Sequence, residues 1–278
     1  MHIRPIEDAD LAQLAELITK EAPPAQPVCS PEMIRATLKR QANVDQGYYD
    51  DLVRTEILVC EESGTLVGAI AWGPTRHGVT DILWIAGEGR PDALALMISK
   101  VVGESRGPLR AYWYGTTISA ALEGLPVGTR PNTHAALLQA GFAGEDLWSY
   151  QVLHRPTDGS TAIQETPTEP VSEKVVVDGV VVGEFEVGVC PEDRSLGELW
   201  WMEVYPEHQG RGYGRPVLDR ALLTLEKLGV STVHLVVDDD DPLSRDRRPA
   251  KHLYREAGFK EVDRLWSYHL GDLPTEAK

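Results

Sequence analysis

The segment VYPEHQGRGYGRP, Val204 to Pro216, places glycines at 210, 212 and 214 and arginines at 211 and 215. Glycine lets a backbone approach a ligand closely, and a loop that leaves a strand and opens into a helix aims main-chain N–H groups and the positive end of the helix dipole at one spot. The chemistry offered is anion binding, with the two arginines adding charge. Two nucleotide-loop patterns do not fit. A GxGxxG run counted from Gly210 or Gly212 meets Arg215 or Val217 where its third glycine belongs, and no Lys-Ser or Lys-Thr pair follows the last glycine.

Other groups with chemical potential lie nearby in sequence. Glu198 and Glu203 stand five residues apart on the predicted strand ahead of the loop, a spacing that sends them to opposite sides of a regular sheet. The run Asp238 to Asp241 follows the next predicted strand and reads either as a solvated loop or as a collar for a cationic ligand. Gly103 to Gly107 spells GxSxG, but it follows a helix and leads into a strand, the reverse of the turn that exposes a nucleophilic serine. The histidines form no HExxH pattern, and Cys29, Cys60 and Cys190 show no CxxC spacing, so neither a metal site nor a disulfide framework is predicted.

The elements that must position these groups are written twice. Residues 140–150 (AGFAGEDLWSY) recur as 257–268 (AGFKEVDRLWSY), Ser63 to Gly68 as Asp178 to Gly183, and Gly87 to Pro91 as Gly212 to Pro216, in the same order. In the second copy Lys174 to Val177 and Val180 to Val189 flank Asp178-Gly179 and read as a hairpin, with Glu198 to Val204 as a third strand. An apolar stripe from Val217 to Leu228 marks a helix that Gly229 ends, and a strand, a helix over Pro249 to Ala257 and a last strand follow. The first copy reads alike and adds a leading strand and helix over Ile3 to Leu17 and a helix from Pro31 to Gln41. The second copy has no room for these, because the Pro-, Thr- and Ser-rich stretch 154–173 directly precedes its hairpin. The predicted organisation is residues 1–153, a linker over 154–173, and residues 174–278. The fold class is α/β (α+β), with two tandem domains, each a mixed, mainly antiparallel sheet flanked by helices.

With 278 residues, 42% hydrophobic and 25% charged, the chain is long and apolar enough for two such domains. A formal charge of −16 disfavours nucleic acid, which is held by Lys and Arg, and favours cationic small molecules. No apolar run approaches a membrane span, so a cytoplasmic monomer or homodimer with no membrane partner is expected.

With Val204-x-Pro206 ahead of it, Gln209-x-x-Gly212-x-Gly214 resembles the Gln/Arg-x-x-Gly-x-Gly/Ala signature of the GNAT superfamily of acyl-CoA-dependent N-acetyltransferases. Residues 174–270 resemble its core, and residues 1–153 resemble a degenerate second copy. The resemblance implies that Gln209, Gly210, Arg211, Gly212, Tyr213, Gly214 and Arg215 bind the pyrophosphate of acetyl-CoA. It implies that Met202, Glu203 and Val204 meet the pantetheine and acetyl group through main-chain hydrogen bonds where neighbouring strands splay. Tyr254 takes the family position of the acid that protonates the leaving thiolate, and Glu198, Glu203 or a water acts as base toward the amine. Two departures stand out. Arg247 replaces an asparagine often found seven residues before the tyrosine. The first copy lacks Val-x-Pro and Gln, carries Glu88 where phosphates would sit and has Leu137 in place of Tyr254, so no productive cofactor binding is expected there. The implied reaction is acetyl transfer from acetyl-CoA, without a metal, to a primary amine of a small molecule of cationic character. A protein or peptide acetyltransferase and a non-catalytic acetyl-CoA-binding protein are the competing readings. Because the second copy lacks the leading helices that wall the acceptor site in this superfamily, the first half or a partner chain is expected to close it.

Overall fold

The computed structural model describes residues 1–42, 46–120, 122–155, 167, 169–238 and 246–274. In chain order the elements are β1 (His2–Pro5), α1 (Leu11–Lys20), α2 (Pro31–Lys39), α3 (Gln46–Asp51), β2 (Glu56–Glu62), β3 (Thr65–Pro74), β4 (Thr80–Ala86), α4 (Pro91–Glu104), β5 (Leu109–Ala111), β6 (Leu125–Pro126), α5 (Pro131–Gln139) and β7 (Ala143–His154). The second half adds β8 (Val171–Val177), β9 (Val180–Val189), β10 (Leu196–Val204), α6 (Gly214–Lys227), β11 (Thr232–Asp238), α7 (Arg248–Glu256) and β12 (Lys260–Leu270). Only α3 and the two-residue β6 escaped the sequence reading. Both are too short to carry a period.

Two compact units result: Met1–Pro23, Val28–Leu147 and Asp263–Lys278 in one, Pro24–Pro27 and Trp148–Val262 in the other. The first has strand order β1-β2-β3-β4-β5-β12 and the second β7-β11-β10-β9-β8. In both, the central pair is parallel, β4 with β5 and β10 with β11, and the neighbouring ladders are antiparallel. The units therefore do not coincide with the sequence repeat. The last strand of each copy completes the other unit's sheet, β12 against β5 and β7 against β11. Such an exchange preserves the ladder hydrogen bonds and costs little when both copies share one chain.

The duplication reaches below the motifs. In its ladder with β3, β4 skips Leu83, and in its ladder with β9, β10 skips Trp200, so both central strands carry a bulge at the same place. With the 117-residue offset of the repeat (257 − 140), Asp81 corresponds to Glu198, Trp84 to Trp201 and Ile85 to Met202.

Layering separates the two units. The first buries both faces of its sheet, one under α4 and α5 with Leu94, Met97, Ile98 and Leu137, the other under α1 and α2 with Leu14, Ile18, Met33 and Ile34. Ser30 starts α2 as its cap, accepting the Met33 N–H at 3.3 Å, with Pro31 in the first turn. The second unit buries the face under α6, where Val217, Leu218, Ala221, Leu222 and Leu225 pack on Phe185, Val187, Leu199 and Leu235. Trp84 and Trp201 show the consequence. Trp84 is 1% exposed, its indole N–H donating to Thr37 of α2 at 3.1 Å, whereas Trp201, with no such helix over it among the described residues, is 46% exposed.

In the first unit Asp81 and Arg110 form a buried two-pronged ion pair, Nε to Oδ1 at 2.7 Å and Nη2 to Oδ2 at 2.8 Å. Asp81→Asn leaves that guanidinium buried without its counter-ion and is expected to destabilise the chain by about 3–5 kcal/mol, read by denaturant unfolding.

Candidate active site

β10 and β11 run side by side only from Leu196–Thr232 to Glu198–His234. Beyond that point β10 continues to Val204 against β9, and β11 continues to Asp238 against β7. The bulge at Trp200 turns β10 where the strands part. One arm of the resulting fork, Met202 to Val204, presents main-chain N–H and C=O groups that have no ladder partner on that side among the described residues, and such groups require a partner when buried.

From Val204 the chain passes through one 3₁₀ turn, Pro206–His208, into the glycine loop. Gln209 braces it: its side-chain amide donates to the Val204 carbonyl at 3.0 Å. Gly210 and Gly212 hold φ of +71° and +83° in open space, so they are required for conformation and not for room. α6 then starts at Gly214, and its N-cap residue Tyr213 makes no side-chain cap. Arg211 and Arg215 are exposed on the same loop, Arg215 steadied by Asp219 at 2.8 Å. Helix-start N–H groups without a cap from Tyr213, beside two cations, can make an anion site at the end of the forked strand.

Glu198 sits where the strands part, 8% exposed, with its Oε1 3.7 Å from Nε2 of the buried His234. The His234 ring meets the edge of Tyr150 at 5.8 Å. The Tyr150 hydroxyl donates to the Pro24 carbonyl at 2.6 Å and accepts from the Gln26 side chain at 3.0 Å. Pro24–Pro27, the link between α1 and α2, thus belongs to the second unit. His234 carries no motif, and Tyr150 was visible only as the last residue of the repeated AGFAGEDLWSY segment. Only the parallel register of β10 with β11 would have found His234 opposite Glu198.

Glu198 and Glu203 do not face opposite sides. The bulge adds one residue, so the five-residue spacing behaves as four: Glu198 pairs with Gly188, Trp201 with Glu186 and Glu203 with Glu184, all on one face. That face turns away from the buried Phe185 and Val187; it is covered at Glu198 and His234, 8% and 1% exposed, and opens toward Trp201, 46% exposed.

Tyr254, on α7, is 9% exposed and packs edge-on against Phe259 at 5.8 Å. Burial pushes its phenol up from 10 to about 12, with Arg247 opposing and Asp238 reinforcing the shift. The group is a hydroxyl donor throughout the neutral range. Its contribution to stability is complete below pH 10, the unfolded value, and is lost as pH rises toward 12. Arg247 donates to Asp238 at 2.8 Å, so the first carboxylate of the acidic run is a counter-ion; Asp239, Asp240 and Asp241 lie outside the described residues.

The first copy's fork is arranged differently. β4 and β5 part after Ile82–Ala111, yet the Ile85 N–H donates to the Tyr112 hydroxyl at 3.1 Å and Arg130 donates to the Ile85 carbonyl at 2.6 Å. Glu88 stands in the loop, but its charge is directed away from it. Its carboxylate turns to the start of α5, accepting from the Thr133 N–H at 2.9 Å and hydroxyl at 2.8 Å, because those donors otherwise lack a cap.

Residues 172–261 match the family model described as the acetyltransferase (GNAT) domain. The chain carries a GNAT acetyltransferase domain. Its whole fold is similar to that of a tandem GNAT protein from the clavulanic acid biosynthesis pathway, with a TM-score of 0.60 at 14% identity over 98% of this chain and 99% of that one. Among curated sequences, a mycothiol acetyltransferase of Pseudarthrobacter chlorophenolicus is 28% identical over 172 residues, 56% of this chain and 51% of that protein. A [ribosomal protein bS18]-alanine N-acetyltransferase of Haemophilus influenzae is 27% identical over 96 residues, 34% of this chain and 59% of that protein. The matches span little more than half the length of these relatives. The GNAT domain holds the glycine loop, the fork, Glu198, His234 and Tyr254. No helix of the described residues is long and apolar enough to cross a membrane.

Proposed function

We propose that the chain transfers the acetyl group of acetyl-CoA to a primary amine of a small cationic molecule, and that the GNAT domain performs the chemistry. The observation that carries this reading is the fork that opens at Glu198 and leads along Met202 to Val204 into an uncapped helix start flanked by Arg211 and Arg215. Acetyl-CoA supplies the thioester. The N–H groups of the loop and α6, with both arginines, hold its pyrophosphate, and the edge of β10 at Met202, which has no ladder partner on that side among the described residues, holds its pantetheine arm. Glu198 takes the proton of the incoming ammonium, directly or through a water, so that the nitrogen lone pair attacks the carbonyl carbon. Tyr254 gives its hydroxyl proton to the sulfur as the C–S bond breaks, and the second proton that the nitrogen loses as the amide forms returns to the phenolate through solvent.

The preference for a cationic acceptor rests on the open face of the sheet. Glu184, Glu186 and Glu203 share it with the exposed ring of Trp201, and Lys174 pairs with Glu184 in the ladder. Carboxylates beside an aromatic face attract an ammonium electrostatically. The relative named for ribosomal-protein alanine favours a peptide α-amine as the second reading, and competition between a polyamine and an N-terminal alanine peptide separates the two.

Reversing both loop charges, Arg211→Glu with Arg215→Glu, is expected to raise the Kd for CoA at least about tenfold, the effect shrinking at high salt as exposed charges are screened. Titration calorimetry at two ionic strengths checks this. Equal affinity for the variant and the parent chain would move the pyrophosphate elsewhere.

A further inference from the structure

We infer that the first copy's cleft is closed by the chain's own side chains, with Glu21 as a built-in anion, so that each chain takes one cofactor and not two. This deepens the proposed function and rests on it only for placing acetyl-CoA in the second copy. The loop Gly87-Glu88-Gly89-Arg90 corresponds to Gly212 to Arg215, and its N–H groups already have an anion. The Glu21 carboxylate accepts the Gly87 N–H at 2.9 and 3.0 Å and the Glu88 N–H at 2.6 Å. Arg130 balances its charge at 3.2 Å, both side chains being 9% exposed.

The strand edge is filled in the same way. Met202 offers its edge to a ligand, but its counterpart Ile85 spends its N–H on Tyr112 and its carbonyl on Arg130. Tyr112 reaches this place from a left-handed backbone, φ +58°, a conformation that costs a non-glycine residue energy and is kept only where the surroundings fix it. Full burial raises its phenol, so it stays a hydroxyl. A carboxylate thus stands for a phosphate and a phenol for an amide-bearing arm. An entering pyrophosphate would have to displace Glu21 and strip Arg130 of its partner.

Glu21 caps the C-terminus of α1, and α1 is the element the second copy lacks. One structural difference therefore accounts for two properties. The copy with leading helices has a closed anion loop and a covered sheet, and the copy without them has an open loop and an open face.

Equilibrium dialysis of the full chain against CoA is expected to saturate at one CoA per chain, and two per chain overturns the inference. In parallel, melting temperatures of the parent chain, Glu21→Ala and Glu21→Gln are followed with and without inorganic pyrophosphate. Both variants are expected to melt several degrees lower, and Glu21→Ala to gain more from pyrophosphate than the parent chain does. Equal melting and an equal pyrophosphate response in parent and variants also overturn it. If no CoA binds, the proposed function fails, and the pyrophosphate comparison still decides the state of the first copy; if Glu21→Ala does not fold, Glu21→Gln carries the comparison.

Discussion

Glu198→Gln is expected to lower kcat/KM for the amine by about 10²–10⁴-fold, the usual worth of a positioned general base. The Kd for CoA is expected to stay put, because Glu198 lies where β10 and β11 part and the glycine loop begins after Val204. Glu203→Gln is the matched control. It shares the open face with Glu198 but lies farther along β10 opposite Glu184, so it is expected to raise the acceptor KM modestly and leave kcat within a few-fold. Steady-state kinetics on both variants separate the roles. A large kcat loss in Glu203→Gln with none in Glu198→Gln would exchange them. His234 lies 3.7 Å from Glu198. His234→Gln removes the imidazole beside the base and is expected to lower kcat/KM while leaving CoA binding intact.

Tyr254→Phe is the second large effect. The acid is expected to be worth a further 10²–10⁴-fold or so in kcat, with little change in either substrate's binding. The ring stays and keeps its contact with Phe259, so stability should hold. Because burial lifts the phenol to about 12, the parent enzyme should show no basic limb from this group across the neutral and mildly alkaline range. Amines with poor nucleophilicity should suffer no differently from good ones, since the hydroxyl acts on the leaving sulfur. Acyl-CoA donors whose thiols are better leaving groups should recover part of the loss. Equal kcat in Tyr254→Phe and the parent chain would remove the tyrosine from the reaction.

Much of this was legible in the sequence, and the reasons are specific. The hairpin at Asp178-Gly179 was readable because β-branched runs flank a turn dipeptide that needs positive φ, and Asp178 and Gly179 both adopt it. α6 was readable because one apolar stripe fell at helical spacing and five of its residues are buried. The glycine loop was visible as a pattern of residue types. The bulge at Trp200 was not visible, because an inserted residue leaves no compositional trace, and it reversed the predicted facing of Glu198 and Glu203. The exchange of β7 and β12 was hidden for a related reason: both strands carry nearly the same sequence, and their ladder partners are fixed by the course of the whole chain. Glu21 was silent too. Its role depends on α1 ending beside a loop 66 residues away.

The central claim, that the GNAT domain acetylates a small cationic amine, is tested most directly by incubating the full chain with acetyl-CoA and a mixture of polyamines, amino sugars and an N-terminal alanine peptide. Thiol release is followed together with the mass of every acceptor. The account predicts thiol release in step with the gain of one acetyl group on a cationic small molecule, and loss of both signals in Glu198→Gln and Tyr254→Phe. Thiol release that no small amine accelerates, or acetylation confined to the peptide, would contradict it.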